Sequence, residues 1–151
     1  MGSVITASGS LVRGKLRQLG VTLEMIQFEH TVFALPFALI GAVLAEDGVP
    51  AGRTLLWILL AMVSARSAAM TFNRLADQAY DARNPRTSSR PLVTRRLSRS
   101  FAWSFLFCNG ALFILSAAML NRLAFLLSFP VLALILGYSY TKRFTWGAHF
   151  L

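Results

Sequence analysis

Asn73, Asp77 and Asp81 stand four residues apart in the stretch NRLADQAYD. An α-helix turns about 100° per residue, which sets them at about −20°, +20° and +60° around the axis relative to Arg66. All four residues would then share one face, with the three oxygen-bearing side chains stacked on successive turns. Two carboxylates at i, i+4 repel mildly, so Asp77 and Asp81 gain nothing as an isolated pair. A hard divalent cation removes that repulsion. Mg2+ favours oxygen ligands and is commonly held by one or two carboxylates, with substrate phosphates and water completing the shell. Asn73, Asp77 and Asp81 are therefore candidate Mg2+ ligands, with Asn73 as the neutral oxygen.

The same stretch continues as ARNPRTSSRPL. Its arginines, Arg86 and Arg90 among them, are suited to phosphate oxygens, because the planar guanidinium matches them in pairs. Metal and arginine together would neutralise a diphosphate as it departs. Arg66 lies inside the preceding apolar run LLWILLAMVSARSAAMTF. An ionisable group within a membrane span is a functional candidate by default. It could equally bond a neighbouring helix or an aspartate on its own face. The loop, too, has a plainer reading, in which its arginines meet anionic lipid and pair with its aspartates.

The elements that must position these residues follow from hydropathy. The chain has 151 residues, is 56% hydrophobic and carries a net charge of +9. Such a composition points to a membrane class. The basic residues sit in loops between apolar runs, not on one solvated face, so the charge reads as an orientation signal and not as a nucleic-acid footprint. The apolar runs predict spans at about 28–45, 54–72, 100–120 and 123–140, each long enough to cross about 30 Å of hydrocarbon, the first only just. Pro36 is tolerable in the first span if neighbouring helices satisfy the freed backbone. Residues 1–27 read as a basic tail leading into an interfacial helix, with no apolar core of a cleavable signal peptide. Cys108, the single cysteine, excludes an internal disulfide and reads as an inert thiol in an apolar run.

The tail, the segment 73–99 and TKRF hold 12 of the 15 basic residues, against Arg53 and Arg122 on the other side. By the positive-inside rule the amino terminus and residues 73–99 face the cytoplasm.

The motif N-x-x-x-D-x-x-x-D followed by NPRTSSRPL resembles the first aspartate-rich motif of the UbiA-type membrane prenyltransferases. More narrowly, RSAAMTFNRLADQAYDARNPRTSSRPL, FEHTVFALPFALIG and YSYTKRFT resemble the bacterial 4-hydroxybenzoate polyprenyltransferase-like branch, across about residues 22–151. The resemblance implies an all-α polytopic bundle, with four complete transmembrane helices here and the start of a fifth, where the family has about nine. Residues 28–151 would be part of a prenyltransferase domain in a bacterial inner membrane. It implies Mg2+-dependent transfer of a polyprenyl group from its diphosphate to an aromatic ring, as in ubiquinone or menaquinone biosynthesis. Asn73, Asp77 and Asp81 would hold the metal and diphosphate. Arg66 would be a pocket residue or a diphosphate contact. Lys142 and Arg143 would reach the diphosphate or an aromatic carboxylate from across the cavity. Glu29 and His30 would line the aromatic pocket, although at a membrane boundary such a pair also serves as a simple anchor. Phe28, Phe33, Phe37, Tyr138 and Tyr140 are aromatic candidates for stabilising an allylic cation.

The sequence departs from that pattern in one respect. The only aspartates are Asp47, Asp77 and Asp81, so the family's second D-x-x-x-D motif is missing. Together with the short apolar ending GAHFL, this gives the expectation of a truncated polypeptide. Two other readings stand beside the enzyme. One is a non-catalytic four-span protein using its basic loop for lipid or partner binding. The other is part of an anion transporter built on Arg66 and the arginine loop.

Overall fold

A computed structural model of the chain describes Gly14 and residues 16–26, 28–46 and 48–141, without the side chains of 28–34 and 141. The described residues form five helices and no strand. Helix α1 covers 16–26. It is followed by α2 (Phe28–Ala45), α3 (Gly52–Asp81), α4 (Arg99–Leu120) and α5 (Arg122–Thr141). The fold is an all-α polytopic membrane bundle.

Local chemistry explains most of the boundaries. Helix α2 closes where Glu46 N–H donates to the Ala42 carbonyl and Gly48 N–H to the Val43 carbonyl. Pro50 then lies just beyond, where it cannot continue the helix. Ser98 caps α4, its hydroxyl accepting from Phe101 N–H at 3.1 Å. This satisfies one of the amide donors that every helix start leaves unpaired. Asn121 alone separates α4 from α5, and its Oδ1 accepts from Ala124 N–H at 2.7 Å. Its extended backbone (φ −166°, ψ 167°) breaks the helix for one residue, so α4 and α5 form a tight helical hairpin.

Three helices among the described residues are long and apolar enough to cross a membrane: α3, α4 and Arg122–Tyr140 of α5. Four were expected. Helix α2 has the expected bounds, Phe28–Ala45, and the side chains of its first seven residues lie outside those described. Helix α3 overshoots its expected span. At 1.5 Å per residue its 30 residues measure about 45 Å, about 15 Å more than a hydrocarbon core. The surplus is the segment after Phe72.

The largest helix interface joins α3 to α4. Small residues are common among the buried positions of the two helices: Ser64, Ser67, Ala68 and Thr71 on α3, and Ala102, Gly110, Ser116 and Ala117 beside Leu106 on α4. Small residues let two backbones approach closely where lipid offers no hydrophobic drive. The hydroxyls of Ser64, Thr71 and Ser116 donate to carbonyls four residues earlier on their own helices, so none is buried unsatisfied. At the end of α3 the packing changes character. Val21, Met25 and Ile26 of α1 join Leu75, Leu92, Leu97, Ala102 and Leu106 in one cluster, forming a cap over the exit of α3.

Candidate functional site

Helix α3 is unbroken through Asp81, so Asn73, Asp77 and Asp81 do occupy successive turns of one helical face, just past its apolar section. Asn73 is half-buried and lines a cavity of about 420 Å³ between α3 and α5, opposite Tyr138 and Ser139. Asp77, one turn on, is also half-buried. Asp81 is buried and forms an ion pair with Arg90, Oδ1 to Nη1 at 2.5 Å.

Arg90 reaches Asp81 because the sequence after α3 turns back on it. Asn84 opens an Asx turn, its Oδ1 accepting from Arg86 N–H at 3.0 Å, a local bond that competes with helix continuation. Thr87 and Ser88 N–H both donate to the Asn84 carbonyl. Thr87 Oγ1 donates to the Asp81 carbonyl at 3.1 Å, and Gln78 Nε2 to the Leu92 carbonyl at 2.9 Å. Three side-chain links thus clamp 82–97 to the last turns of α3, while Leu92 and Leu97 bury into the cap. The segment passes through the left-handed region at Arg95 (φ 57°), which lets the chain turn into α4.

The remaining predicted residues divide. Arg66 is half-buried on α3, and its Nε is buried with no hydrogen-bond partner among the described residues. It sits seven residues, about 10 Å, deeper than Asn73. Arg86 is exposed and is held through its backbone, whereas Arg90 is in the site. Lys142 and Arg143 lie outside the described residues, as do the side chains of Glu29 and His30 on α2. Sequence reasoning missed Arg74. It is buried beneath α1, its Nε pointing at the Met25 carbonyl at 3.5 Å. It interacts electrostatically with Asp81, Asp77 and Arg90. Its spacing from Asp77, three residues, is a neighbouring position on a helix, but its burial comes from α1 and is not visible in that spacing.

The donor set bears on the implied metal. No group of three or more His, Cys, Asp or Glu occurs among the described residues, so no metal cage made of protein alone is available there. Two carboxylates and one amide on a single face nevertheless suit Mg2+ when diphosphate oxygens and water complete the shell. Asp81 would have to exchange Arg90 for the ion, or share them. The residues present fit the ion on those terms.

Comparison with known proteins decides the family. Residues 34–151 match the UbiA prenyltransferase family. The chain belongs to that family. A 4-hydroxybenzoate octaprenyltransferase of Haemophilus ducreyi is 37% identical over 101 residues, covering 67% of this chain and 36% of that protein. One from Azoarcus sp. strain BH72 is 38% identical over 101 residues, covering 67% and 35%. The apo structure of a UbiA homolog from Aeropyrum pernix K1 is 42% identical, with a TM-score of 0.71 over 76% of this chain and 42% of that one. The chain spans about a third of the length of the curated UbiA relatives it matches.

Of the aromatic candidates of this UbiA-family chain, Tyr138 shares a cavity with Asn73. Tyr138 lines the cavity with Met70, Leu134 and Ile135. Tyr140 packs edge-on against Phe72 at 5.6 Å, and Phe72 in turn meets Trp103 at 6.4 Å. Phe37 is well exposed on α2. The side chains of Phe28 and Phe33 fall outside the described residues.

Proposed function

We propose that this chain contributes the diphosphate-binding face of an aromatic prenyltransferase. The reaction moves a polyprenyl group from its diphosphate to an aromatic acceptor of the 4-hydroxybenzoate type, in quinone biosynthesis. The observation that carries the reading is the unbroken run of α3 past its apolar section. It stacks Asn73, Asp77 and Asp81 at the helix exit, with Arg90 folded back onto the same turns. The names of the bacterial relatives supply the acceptor class.

In this reading the allylic C–O bond breaks, diphosphate leaves, a ring carbon attacks the allylic carbon, and the ring proton is lost. Arg90 offers two N–H groups to the leaving diphosphate, with Arg86 approaching from the exposed side of the loop. Mg2+ bound by Asn73, Asp77 and Asp81 would supply neutralisation of the diphosphate charge. Met70, Leu134 and Ile135 give the open cavity an apolar side along which the prenyl chain would lie, and the face of Tyr138 is suited to a developing positive charge. Arg66, with its buried unpaired Nε, receives an anionic group of acceptor or diphosphate deep in the bundle. Lys142, Arg143, Glu29 and His30 are assigned to diphosphate or acceptor binding on the family resemblance alone. The charge asymmetry supports an inner-membrane protein with its amino terminus and residues 73–99 in the cytoplasm.

A binding measurement tests this. A fluorescent prenyl diphosphate is titrated into the purified, reconstituted protein with and without Mg2+. Asp77→Asn and Asp81→Asn should each weaken the Mg2+-dependent binding about tenfold or more, because each loses a charged ligand. Equal affinity in all three proteins would remove the assignment.

A further inference from the structure

Arg74 is only 7% exposed, although it lies past the apolar section of α3. Helix α1 covers it. The Arg74 Nε donates to the Met25 carbonyl at 3.5 Å, and Met25 belongs to the cap with Val21 and Ile26. Glu24 ties α1 to the segment before α4 by a two-point contact with Arg96, at 2.9 and 3.2 Å. A charge buried in this way needs compensation close by. Asp77 and Asp81, three and seven residues further along α3, attract it, whereas Arg90 repels it. Two carboxylates thus stand against two guanidiniums, and the two cations differ in freedom. Arg90 belongs to a loop, and its side chain is 28% exposed. Arg74 is part of α3 itself and is held beneath α1.

We propose that Arg74 is a positioning residue that makes the Asn73–Asp77–Asp81 face take a divalent cation together with a diphosphate and disfavour the cation alone. The inference rests on the reading of that face given above and adds to it an order of binding. A lone cation that engaged Asp77 and Asp81 would draw off the compensation of a buried guanidinium and set a like charge beside it. Little water lies between them to weaken that repulsion, because α1 covers Arg74. A diphosphate supplies the negative charge that both cations then share. Arg90 can turn to the diphosphate, but Arg74 keeps its place on α3 and acts through its field. It therefore opposes free metal and favours free diphosphate. The same arginine left in water would be screened and would have little influence on either, which gives α1 a part in the site without contributing a ligand to it.

The test is Mn2+ binding to the full chain in detergent, read by electron paramagnetic resonance with no diphosphate present. Arg74→Gln should bind Mn2+ about tenfold more tightly than wild type, the scale of one neighbouring charge removed. Arg74→Lys keeps the charge and should stay near wild type. A fluorescent prenyl diphosphate titrated without metal should move the other way, weakening in Arg74→Gln and holding in Arg74→Lys. Arg74→Met supplies a second neutral side chain if glutamine loosens the cap. Val21→Ala separates charge from packing: it opens a cavity in the cap and should lower the melting temperature without tightening Mn2+ binding. Mn2+ binding that is unchanged or weaker in both neutral variants, or an equal gain in Val21→Ala, overturns the proposal. Asp77→Asn and Asp81→Asn distinguish this failure from failure of the face itself. If neither weakens Mn2+ binding, the metal assignment falls and the role of Arg74 with it. If both weaken it while the neutral Arg74 variants bind no better, only the role of Arg74 falls.

Discussion

Asp81 and Arg90 form the tightest polar contact of the site, and its chemistry is two-sided. In the ion pair the guanidinium occupies a carboxylate that a metal would otherwise use. In the proposed reaction a bound diphosphate would offer the same guanidinium a better-matched acceptor, and Asp81 would then be available to hold the cation. Removing Arg90 should therefore act in opposite directions on two ligands. Arg90→Ala should bind Mn2+, as a paramagnetic stand-in for Mg2+, more tightly in the absence of diphosphate. It should bind prenyl diphosphate about tenfold more weakly, the scale of one lost charge-assisted hydrogen bond. Electron paramagnetic resonance of free Mn2+ and a fluorescence titration read the two affinities. A fall in both would mean that Arg90 only holds the loop in place. At this scale the oxygen trio was legible, because a four-residue spacing projects directly onto a helical face. Pairing between the loop's arginines and the aspartates was legible as one reading, but not that Asp81 and Arg90 would be the pair, since that depends on how eight intervening residues turn. Arg74 was missed because its burial comes from α1, a contact that no local spacing records.

Helix boundaries were legible where apolar runs meet turn formers. Helix α2 has the expected bounds, and α4 and α5 begin one residue earlier than expected. The segment after Phe72 shows what polarity alone conceals. Its charges end the expected membrane span at about residue 72, yet the helix continues through Asp81, as the shared face of Asn73, Asp77 and Asp81 requires, with Leu75 buried in the cap and Gln78 tied to the Leu92 carbonyl. Tertiary contacts there outweigh the lost apolar pattern. The junction at Ser98 matters for the same reason: it starts α4 immediately after Leu97, a member of the cap. Ser98→Ala removes the hydroxyl that accepts Phe101 N–H and should cost about 1 kcal/mol. Thermal unfolding in detergent checks this, and Ser98→Asp should retain the wild-type midpoint because aspartate caps equally well. A loss shared by both variants would show that packing of the serine, not its cap, sets the stability.

Across the whole molecule, helices of this kind are apolar nearly all round, so hydropathy shows that they span but not which side meets which neighbour. What distinguishes the α3–α4 interface is residue size. Ala68 is fully buried in one cluster with Ala102 and Leu106 of α4, whereas Ala118 on α4 is exposed. The same substitution should then have unequal consequences. Ala68→Leu forces extra methylenes into a close helix contact and should destabilise the protein by about 1–3 kcal/mol. It should also disturb diphosphate binding, because Asn73 and Asp77 ride on the same helix one to three turns away. Ala118→Leu adds the same volume on a surface open to lipid or to further helices and should shift the midpoint little. Equal losses in a detergent melting experiment would mean that α3 and α4 do not pack through their small residues, and the position of the oxygen donors relative to α5 would have to be redrawn.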